Sequence, residues 1–448
     1  MGIGYTAVTD SYDHGTGMTN KSDNEVTVLK KRAAKGVISA QLTLAGLYED
    51  GVQIDRDYGL AARWFLEAAK QGSAKAQAAM GEKYLYGYGV DQDYDKAVYW
   101  FNKAANKDNP DAIASLGWCL QNGLGLKRDI STAYEYYLRA ANLGHAGASY
   151  NLGCMHAKGQ GAEQDDKEAL RWLRKAAQKG HKKAQLLLGV RYEQGIRVKA
   201  DDMRAVEWYR KAAMQDYSKA QYNLACMYAR GRGVPRDYAE AVEWYRKAAG
   251  QRYAKAQYFL GLYNLRGTGV KRNYKEALTW LHKSADQGYH RAQYELGKMY
   301  LEGIGVEGDY KEAYMWFLHA AAGEDKRAQY RLGILYDEGK GVDRDDKKAH
   351  ELFRQSAAQG YAPAQYRLAL QYFQGRGVKR DYIEAYGWCY AAAKSKEPPV
   401  LEALQKIASK LGQTDIDKGK RKGRELVAKF RQLLKEDDLL DASANTTE

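Results

Sequence analysis

The sequence predicts an all-α solenoid of ten helix-turn-helix repeats with helical caps at both ends. One alanine recurs every 36 residues without an insertion, and only five of the 448 residues are proline. The apolar residues favour Ala, Leu, Tyr and Trp over Val and Ile, which suits helices better than strands. Because such a short unit cannot bury its own apolar face, neighbouring units must stack. The recurring reference alanines are Ala40, Ala76, Ala112, Ala148, Ala184, Ala220, Ala256, Ala292, Ala328 and Ala364.

A capping helix is predicted before the first repeat, over residues 22–36. Its sequence, SDNEVTVLKKRAAKG, opens with Ser22 and Glu25 as a capping box and ends in small residues that can cover repeat one. Residues 1–21 are polar and are expected to form a disordered tail. The start MGIGYT also matches the N-myristoylation pattern through Gly2 and Thr6. A secretion signal is the alternative for this tail.

Each repeat contains a helix A and a helix B, joined by a glycine loop. The residue eleven after the reference alanine is glycine in every copy, which predicts the end of helix A. Six residues later comes Asp, or Asn273 in one copy, as the predicted cap of helix B. Helix B is therefore expected to begin near Tyr58, Tyr94, Tyr238, Tyr274, Tyr310 and Tyr382. Five copies complete a capping-box pattern with Glu168, Glu240, Glu276, Glu312 or Glu384.

Tryptophan occupies one fixed position of helix B in most repeats. Its spacing beside small alanines predicts packing in the core, with ligand stacking as the alternative. Three repeats carry Asp instead of the usual Tyr at the start of helix B, at Asp166, Asp202 and Asp346, which we expect to loosen local packing. The tryptophan column comprises Trp64, Trp100, Trp172, Trp208, Trp244, Trp280, Trp316 and Trp388.

The repeats are predicted to span residues 37–396 and to end at Pro398 and Pro399. Two further helices, at about 400–411 and 415–437, are expected to form C-terminal caps within residues 397–438. Residues 439–448 are expected to be a disordered tail. The densest basic run of the chain, KGKRKGR over residues 418–424, could serve as a nuclear signal or a nucleic-acid contact.

The repeated phrase carries a family resemblance. Read across SKAQYNLACMYARGRGVPRDYAEAVEWYRKAAGQRY, residues 218–253, it is similar to the Sel-1-like repeat family, a relative of tetratricopeptide arrays. The resemblance extends from about Ile38 to Lys396. It implies right-handed α/α superhelices that act as scaffolds and adaptors in bacterial signalling and virulence, or in eukaryotic membrane-protein degradation complexes. A cysteine-rich branch of the family resembles β-lactamases, but its paired cysteines are absent here.

The sequence offers no constellation for catalysis, a cofactor or a metal. Four scattered cysteines form no CxxC pair, and eight histidines form no HExxH motif. The stretch DQDYDK, residues 91–96, imitates an EF-hand loop but has Lys96 where glycine is needed, so Asp93 is expected to cap a helix instead. No stretch of 18 apolar residues occurs. We expect a cytoplasmic protein, with a secreted effector as the alternative.

The candidate partner surface is a stripe along helix A, at positions −1, 3, 6 and 10 from the reference alanine. These positions vary most between repeats and share one helix face, which we expect to line a concave groove. Its basic residues and the net charge of +14 favour a protein or peptide with acidic groups. Alternatives are solvated lysines, a nucleic-acid or anionic membrane surface, or the hydrolase of the cysteine-rich branch. The candidate residues are Lys183, Lys219, Asn223, Arg230, Lys255, Phe259, Leu262, Arg266, Arg291, Glu295, Lys298, Arg327, Arg331, Ile334 and Arg367.

A second basic column lies near the end of helix B, where we expect it to interact with the helix dipole. It consists of Lys103, Arg139, Lys175, Lys211, Lys247 and Lys283.

Overall fold

The computed structural model describes residues 19–444, and their side chains from residue 25 to residue 430. The described residues form 23 α-helices and one short 3-10 helix, and no strand occurs among them. The predicted all-α fold is therefore confirmed. The myristoylation pattern and most of the N-terminal tail lie outside the described residues. The chain divides into a first unit, residues 1–185, and a second unit, residues 186–448.

The first helices of the chain are a leading helix followed by alternating helices A and B. Their bounds are α1 (Thr19–Ala34), α2 (Ile38–Asp50), α3 (Tyr58–Lys70), α4 (Ala74–Tyr86), α5 (Tyr94–Ala105), α6 (Pro110–Asn122), α7 (Ile130–Asn142), α8 (Ala146–Lys158) and α9 (Asp166–Gln178). Helix α1 begins three residues before the predicted start at residue 22. It buries Val26 and Ala33.

The alternation continues through repeat ten, where even-numbered helices are again helix A. The bounds are α10 (Lys182–Gln194), α11 (Asp202–Ala213), α12 (Ser218–Arg230), α13 (Tyr238–Gly250), α14 (Ala254–Arg266), α15 (Tyr274–Ala285), α16 (His290–Glu302), α17 (Tyr310–Ala322), α18 (Lys326–Glu338), α19 (Asp346–Ala358), α20 (Ala362–Gln374) and α21 (Tyr382–Ala392). After a 3-10 turn, Ala393–Ser395, come α22 (Pro398–Ala408) and α23 (Gln413–Ala444), and α23 extends past the predicted end at residue 438.

The loop signals of the sequence are confirmed. All ten loop glycines at position 11 have φ between 64° and 74°, a backbone conformation that glycine adopts without steric cost. In every repeat the predicted Asp or Asn caps helix B by accepting a backbone N–H bond. Each helix B that was expected to begin at a tyrosine does so.

The predicted capping boxes form only in part. Asp237 accepts a bond of 3.0 Å from the N–H of Glu240, as expected. The N–H of Asp237, however, donates to the carbonyl of Tyr228, at 3.0 Å near the end of helix A. Glu240 instead accepts a bond of 2.8 Å from the indole of Trp244. The cap's own N–H thus joins the two helices of the repeat.

The tryptophan is not the most deeply buried residue of helix B, because the residue after it is buried more deeply and in most repeats is an aromatic ring, called here the core ring. Phe101, Tyr137 and Phe317, each one residue after the tryptophan position, are fully buried. Of the tryptophan column only Trp172, Trp244 and Trp388 are buried, and the other five are half-buried. The predicted core role of the column is therefore only partly confirmed. Helix A meets the true core ring closely: a Cβ added at Gly81 would lie 2.4 Å from Phe101.

A buried glutamine connects successive repeats. The residue after the reference alanine is Gln in eight repeats, and in seven of them its amide donates to a carbonyl near the end of the preceding helix. Gln221, for example, donates to Ala213 at 3.2 Å and accepts from Gln251 at 2.8 Å. Repeats three and four have Ile113 and Ser149 instead. A buried amide is stabilising because both of its partners would otherwise remain unsatisfied.

Two of the three Asp residues at the start of helix B, which were expected to loosen local packing, form ion pairs with the next repeat. Asp202 pairs with Arg232 of the next repeat at 2.7 Å, and Arg232 also pairs with Glu193 at 3.0 Å. Asp346 pairs in the same way with Arg376 of the next repeat, at 3.0 Å. The lost tyrosine is replaced by an ion pair across the repeat boundary.

The glycines that interrupt the basic run of α23 have a packing role. A Cβ added at Gly419 would lie 2.8 Å from Tyr386, and one at Gly423 would lie 2.6 Å from Tyr390 of α21. Both glycines are buried, and Lys422 pairs with Glu384 of α21. The glycine spacing therefore allows α23 to pack closely on α21.

Candidate interaction surface

The structure places almost all of the predicted stripe in the second unit, on helices A from α12 to α20. Lys183 belongs to the first unit. Arg230, Arg266 and Arg291 are exposed, whereas Leu262 and Glu295 are buried, each with 6% exposure. The remaining second-unit candidates are half-buried: Lys219, Asn223, Lys255, Phe259, Lys298, Arg327, Arg331, Ile334 and Arg367.

Several predicted charges are neutralised within the chain. Arg327 forms a two-point pair with Asp325, at 3.2 Å and 2.7 Å, and lies 4.2 Å from the ring centre of Tyr294. Buried Glu295 pairs with Lys298 at 3.2 Å. Sequence position alone could not separate these paired charges from free ones, because the partners lie outside the stripe or on a neighbouring turn.

Other stripe cations form no ion pair with the acidic side chains that the structure describes. Among residues 25–430, no carboxylate lies within ion-pair distance of Arg230, Lys255, Arg266, Arg291 or Arg331. Arg367, by contrast, lies 3.9 Å from Asp337. The five unpaired cations lie on the successive helices α12, α14, α16 and α18. They leave a positive surface that an anionic ligand can neutralise.

A pocket of about 350 Å³ opens between repeats six and seven, on this same stripe. Its lining includes Arg230, Arg266, Phe259, Leu262 and Tyr245. The rings of Phe259 and Tyr245 are stacked, with centres 5.4 Å apart and an interplanar angle of 8°. Phe259, Leu262 and both arginines were predicted from their positions in the stripe.

The floor of this pocket carries no negative charge. Cys226 contributes to the lining, and its Sγ lies 3.3 Å from the hydroxyl of Tyr245. Burial raises the pKa of the Cys226 thiol and that of Tyr245. Both groups therefore stay protonated at neutral pH, so the two arginines dominate the charge of the pocket.

The same stripe positions in the first unit have a different character. They include Glu82, Asp111 and Trp118. Burial raises the pKa of Glu82 to about 7; Lys83 opposes the rise, and the nearby carboxylates Asp111 and Glu49 reinforce it. This part of the first unit therefore holds a partly protonated acid instead of a free cation.

The second basic column contacts the tryptophans directly. The ammonium groups of Lys175, Lys211, Lys247 and Lys283 lie 4.6, 4.4, 4.1 and 4.2 Å from the centres of the indoles three residues earlier. Such cation–π contacts contribute about 0.5–1 kcal/mol at exposed sites. The helix dipole is therefore not the only interaction that favours a cation at this position. The lysines also cover the indole faces on which a ligand would have to stack.

The other reactive side chains of the described residues are the cysteines and the histidines. The four cysteines are free thiols, and burial raises the pKa of Cys119 to about 11 and that of Cys389 to about 12. His156 is buried against the hydroxyl of Tyr134, with 3.2 Å between Nε2 and the oxygen. No three metal-ligating side chains converge within the part of the chain that the structure describes.

Asp93 has the capping role that was expected of it. It accepts a bond of 2.9 Å from the N–H of Lys96. Over residues 19–444, no helix combines the length and the apolar character needed to span a bilayer.

Comparison with known proteins identifies the repeat. The Sel1 repeat family model matches ten consecutive segments, which are residues 38–73, 74–109, 110–145, 146–181, 182–217, 218–253, 254–289, 290–325, 326–361 and 362–396. No curated protein sequence matches the chain.

Solved structures agree with this assignment. A protective antigen of uropathogenic Escherichia coli with the same repeat fold is 30% identical, with a TM-score of 0.55, over 93% of this chain and 97% of that one. A Sel1 repeat protein from Oxalobacter formigenes is 28% identical, with a TM-score of 0.48, over 83% of this chain and 97% of that one. The chain belongs to the Sel1 repeat family.

Proposed function

We propose that this protein is a non-enzymatic scaffold whose second-unit stripe binds an acidic segment of a partner protein. Sel1 repeat proteins generally mediate contacts between proteins, and the family is generally non-enzymatic. The likeness to a protective antigen of uropathogenic E. coli supports a role for this binding in bacterial virulence.

The observation that carries the proposal is the set of unpaired stripe cations. Elsewhere on the stripe Arg327, Lys298 and Arg367 have acidic neighbours within the chain. Lys255 and Arg291 have none among the described residues and occupy the same position on successive helices A. Cations without internal partners attract an acidic ligand and orient it as it approaches.

Three of the four thiols are poorly suited to act as nucleophiles, which opposes a hydrolase that uses one of these cysteines. A cysteine nucleophile needs a lowered pKa and access to substrate. Burial raises the pKa of Cys119, Cys226 and Cys389 instead. No catalytic family is indicated by the comparisons.

The test is a pull-down from nuclease-treated lysate with the full chain as bait. The variant Lys255→Glu/Arg291→Glu reverses the two unpaired charges. The matched control, Lys275→Glu/Lys311→Glu, makes the same change at exposed positions of α15 and α17, on helices B. We expect the first variant to lose specific partners that the control and the unaltered chain retain.

Two results would contradict this function. If both variants capture the same partners as the unaltered chain, the stripe does not bind them. If the chain binds only polyanions, without preference for their sequence, and loses them when the salt concentration is raised from low to moderate, it is a nucleic-acid or membrane-surface binder instead.

A further inference from the structure

The pocket between repeats six and seven has two positive groups at its rim. Arg230 and Arg266 are the last residues of α12 and α14, just before the glycines that end these helices. Both side chains are exposed, and neither has a carboxylate within ion-pair distance in the described chain. A guanidinium group forms its strongest hydrogen bonds with an anion such as a carboxylate. The rim therefore favours a ligand with two acidic groups.

Between these arginines the floor of the pocket is apolar. Phe259 stacks on Tyr245, and Leu262 lies beside them with 6% exposure. The volume of about 350 Å³ is at the lower end of the range for ligand pockets, so it suits one large side chain rather than a whole domain surface. A ligand that carried only charge would leave this apolar surface exposed to water.

We propose that this pocket binds one hydrophobic side chain of an extended peptide that has acidic residues two positions before and two positions after it. The proposal rests on the proposed function and defines the partner's motif. In an extended chain, side chains alternate between two faces, so residues i−2, i and i+2 point the same way. Carboxylates at i−2 and i+2 can then reach Arg230 and Arg266 while residue i contacts Phe259.

The shape of the site favours a peptide over a nucleic acid. Single-stranded nucleic acids are bound along a continuous positive groove with repeated stacking platforms. Here one apolar pocket lies between two separate cations, and the next stripe position after Arg266, at α16, is Glu302. The row of arginines at this position therefore ends at α16, where a longer polyanion would meet a negative charge.

The experiment compares peptides that differ only in register. Fluorescein-labelled nonapeptides with the core EGFGE carry the acids at i±2, and an isomer with the core GEFEG carries them at i±1. Both have the same composition and charge. Anisotropy with the full chain should show binding of the first peptide at least about tenfold tighter than that of the isomer. A third peptide, with the core EGAGE, lacks the side chain that enters the pocket and should bind equally weakly.

Protein variants connect this preference to the pocket. Arg230→Glu and Arg266→Glu should each weaken binding of the EGFGE peptide at least about tenfold and abolish the register preference. Arg230→Gln should give a smaller loss in the same direction, and it keeps the test informative if charge reversal disturbs folding. Lys275→Glu, at an exposed position of α15 outside the pocket, should bind as the unaltered chain does.

Several outcomes overturn the proposal. These are equal affinity for the two isomers, no binding of the EGFGE peptide up to about 1 mM, or unchanged binding by both arginine variants. Displacement of the peptide by oligothymidine, with loss of the register preference, would assign the pocket to nucleic acid. If partners captured from lysate still depend on Lys255 and Arg291 in any of these cases, the proposed function stands and only the pocket assignment fails.

Discussion

The helix A stripe differs between the two units of this chain, although the repeats that carry it share one architecture. In repeats six to ten the stripe positions hold nine Lys or Arg and three Glu. In repeats one to four they hold two Lys and three acidic residues. Since capping, loop glycines and core packing are common to both units, the stripe can vary without loss of the fold. The comparison teaches that the fold accepts different charges at the stripe positions while its capping and loop positions stay the same.

The two units also differ in how their repeats are connected. All five repeats of the second unit from repeat six onwards have the buried glutamine after the reference alanine. Repeats three and four of the first unit have Ile113 and Ser149 there. The glutamine position is therefore uniform in the part of the chain that carries the cationic stripe and varied in the first unit.

The largest expected effect is on partner binding. Lys255→Glu/Arg291→Glu should lower the affinity for the captured partner about 10- to 100-fold, or about 1.4–2.8 kcal/mol. Lys75→Glu/Lys158→Glu, a charge reversal at the two stripe lysines of repeats one to four, should change it less than about twofold. Isothermal titration calorimetry measures both values. Equal losses in the two variants would mean that the difference in stripe charge has no bearing on binding.

The next largest effect is expected on folding stability, through the buried side chain of Glu82 in the first unit. The pKa of Glu82 is raised to about 7 in the folded chain, from 4.5 as a free side chain. At this group the folded state therefore binds more protons than the unfolded state between these values, so the contribution of Glu82 to stability falls as the pH rises from about 4.5 to 7. Glu82→Gln should remove this decline and stabilise the chain by about 1–3 kcal/mol above pH 7.

Urea unfolding at pH 5 and pH 8 tests this prediction. From pH 5 to pH 8 the urea midpoint of the unaltered chain should fall more, or rise less, than that of Glu82→Gln, because only the unaltered chain must ionise this buried acid. Glu302→Gln, at an exposed stripe position of the second unit, is the control and should follow the unaltered chain. If the urea midpoints of all three proteins change equally with pH, the environment of Glu82 does not disfavour its charge.

A smaller loss of stability is expected when the buried glutamine of a second-unit repeat is replaced by isoleucine, which repeat three has at the same position. Gln221→Ile leaves the carbonyl of Ala213 and the amide of Gln251 without their partner. An unsatisfied buried polar group costs about 1–3 kcal/mol, and the added apolar contact of isoleucine offsets part of this cost. Amide hydrogen exchange in α11 and α12 should become faster. Unchanged exchange there would show that the glutamine is not needed to join the repeats.

The smallest effect is expected for the ion pair of Asp202 with Arg232, since Asp202 occupies the position at which most repeats have tyrosine. A double-mutant cycle with Asp202→Ala and Arg232→Ala should give a coupling energy of about 0.5–1 kcal/mol, because both side chains are partly exposed and screened by solvent. The coupling should decrease in 0.5 M salt. A coupling near zero would restore the prediction that Asp at this position merely loosens the packing.

The period of the sequence was sufficient to predict the helices. The glycine at position 11 and the following Asp act locally, through backbone conformation and capping, so the start of α13 at Tyr238 could be predicted without knowledge of the packing. The core ring was harder to predict, since Trp100 and Phe101 both lie near the buried face of α5. Only the contact with Gly81 shows which of the two rings fills the interior.

The candidate surface could be predicted only as a set of positions. Helical spacing placed Arg230 and Phe259 on one face, but the pocket that joins them requires two repeats to pack together. The pairing of Arg327 with Asp325 also depends on side-chain geometry that the 36-residue period does not encode. The sequence therefore predicted the location of the stripe but not which of its charges remain available to a ligand.

Hydrogen exchange of the full chain, alone and in its purified complex with the captured partner, tests the central claim most directly. The account predicts that protection increases in α12, α14 and α16, around Arg230, Lys255 and Arg291, and stays unchanged in α4 and α6. Protection confined to α4 and α6, or to the helices B of the second unit, would contradict it.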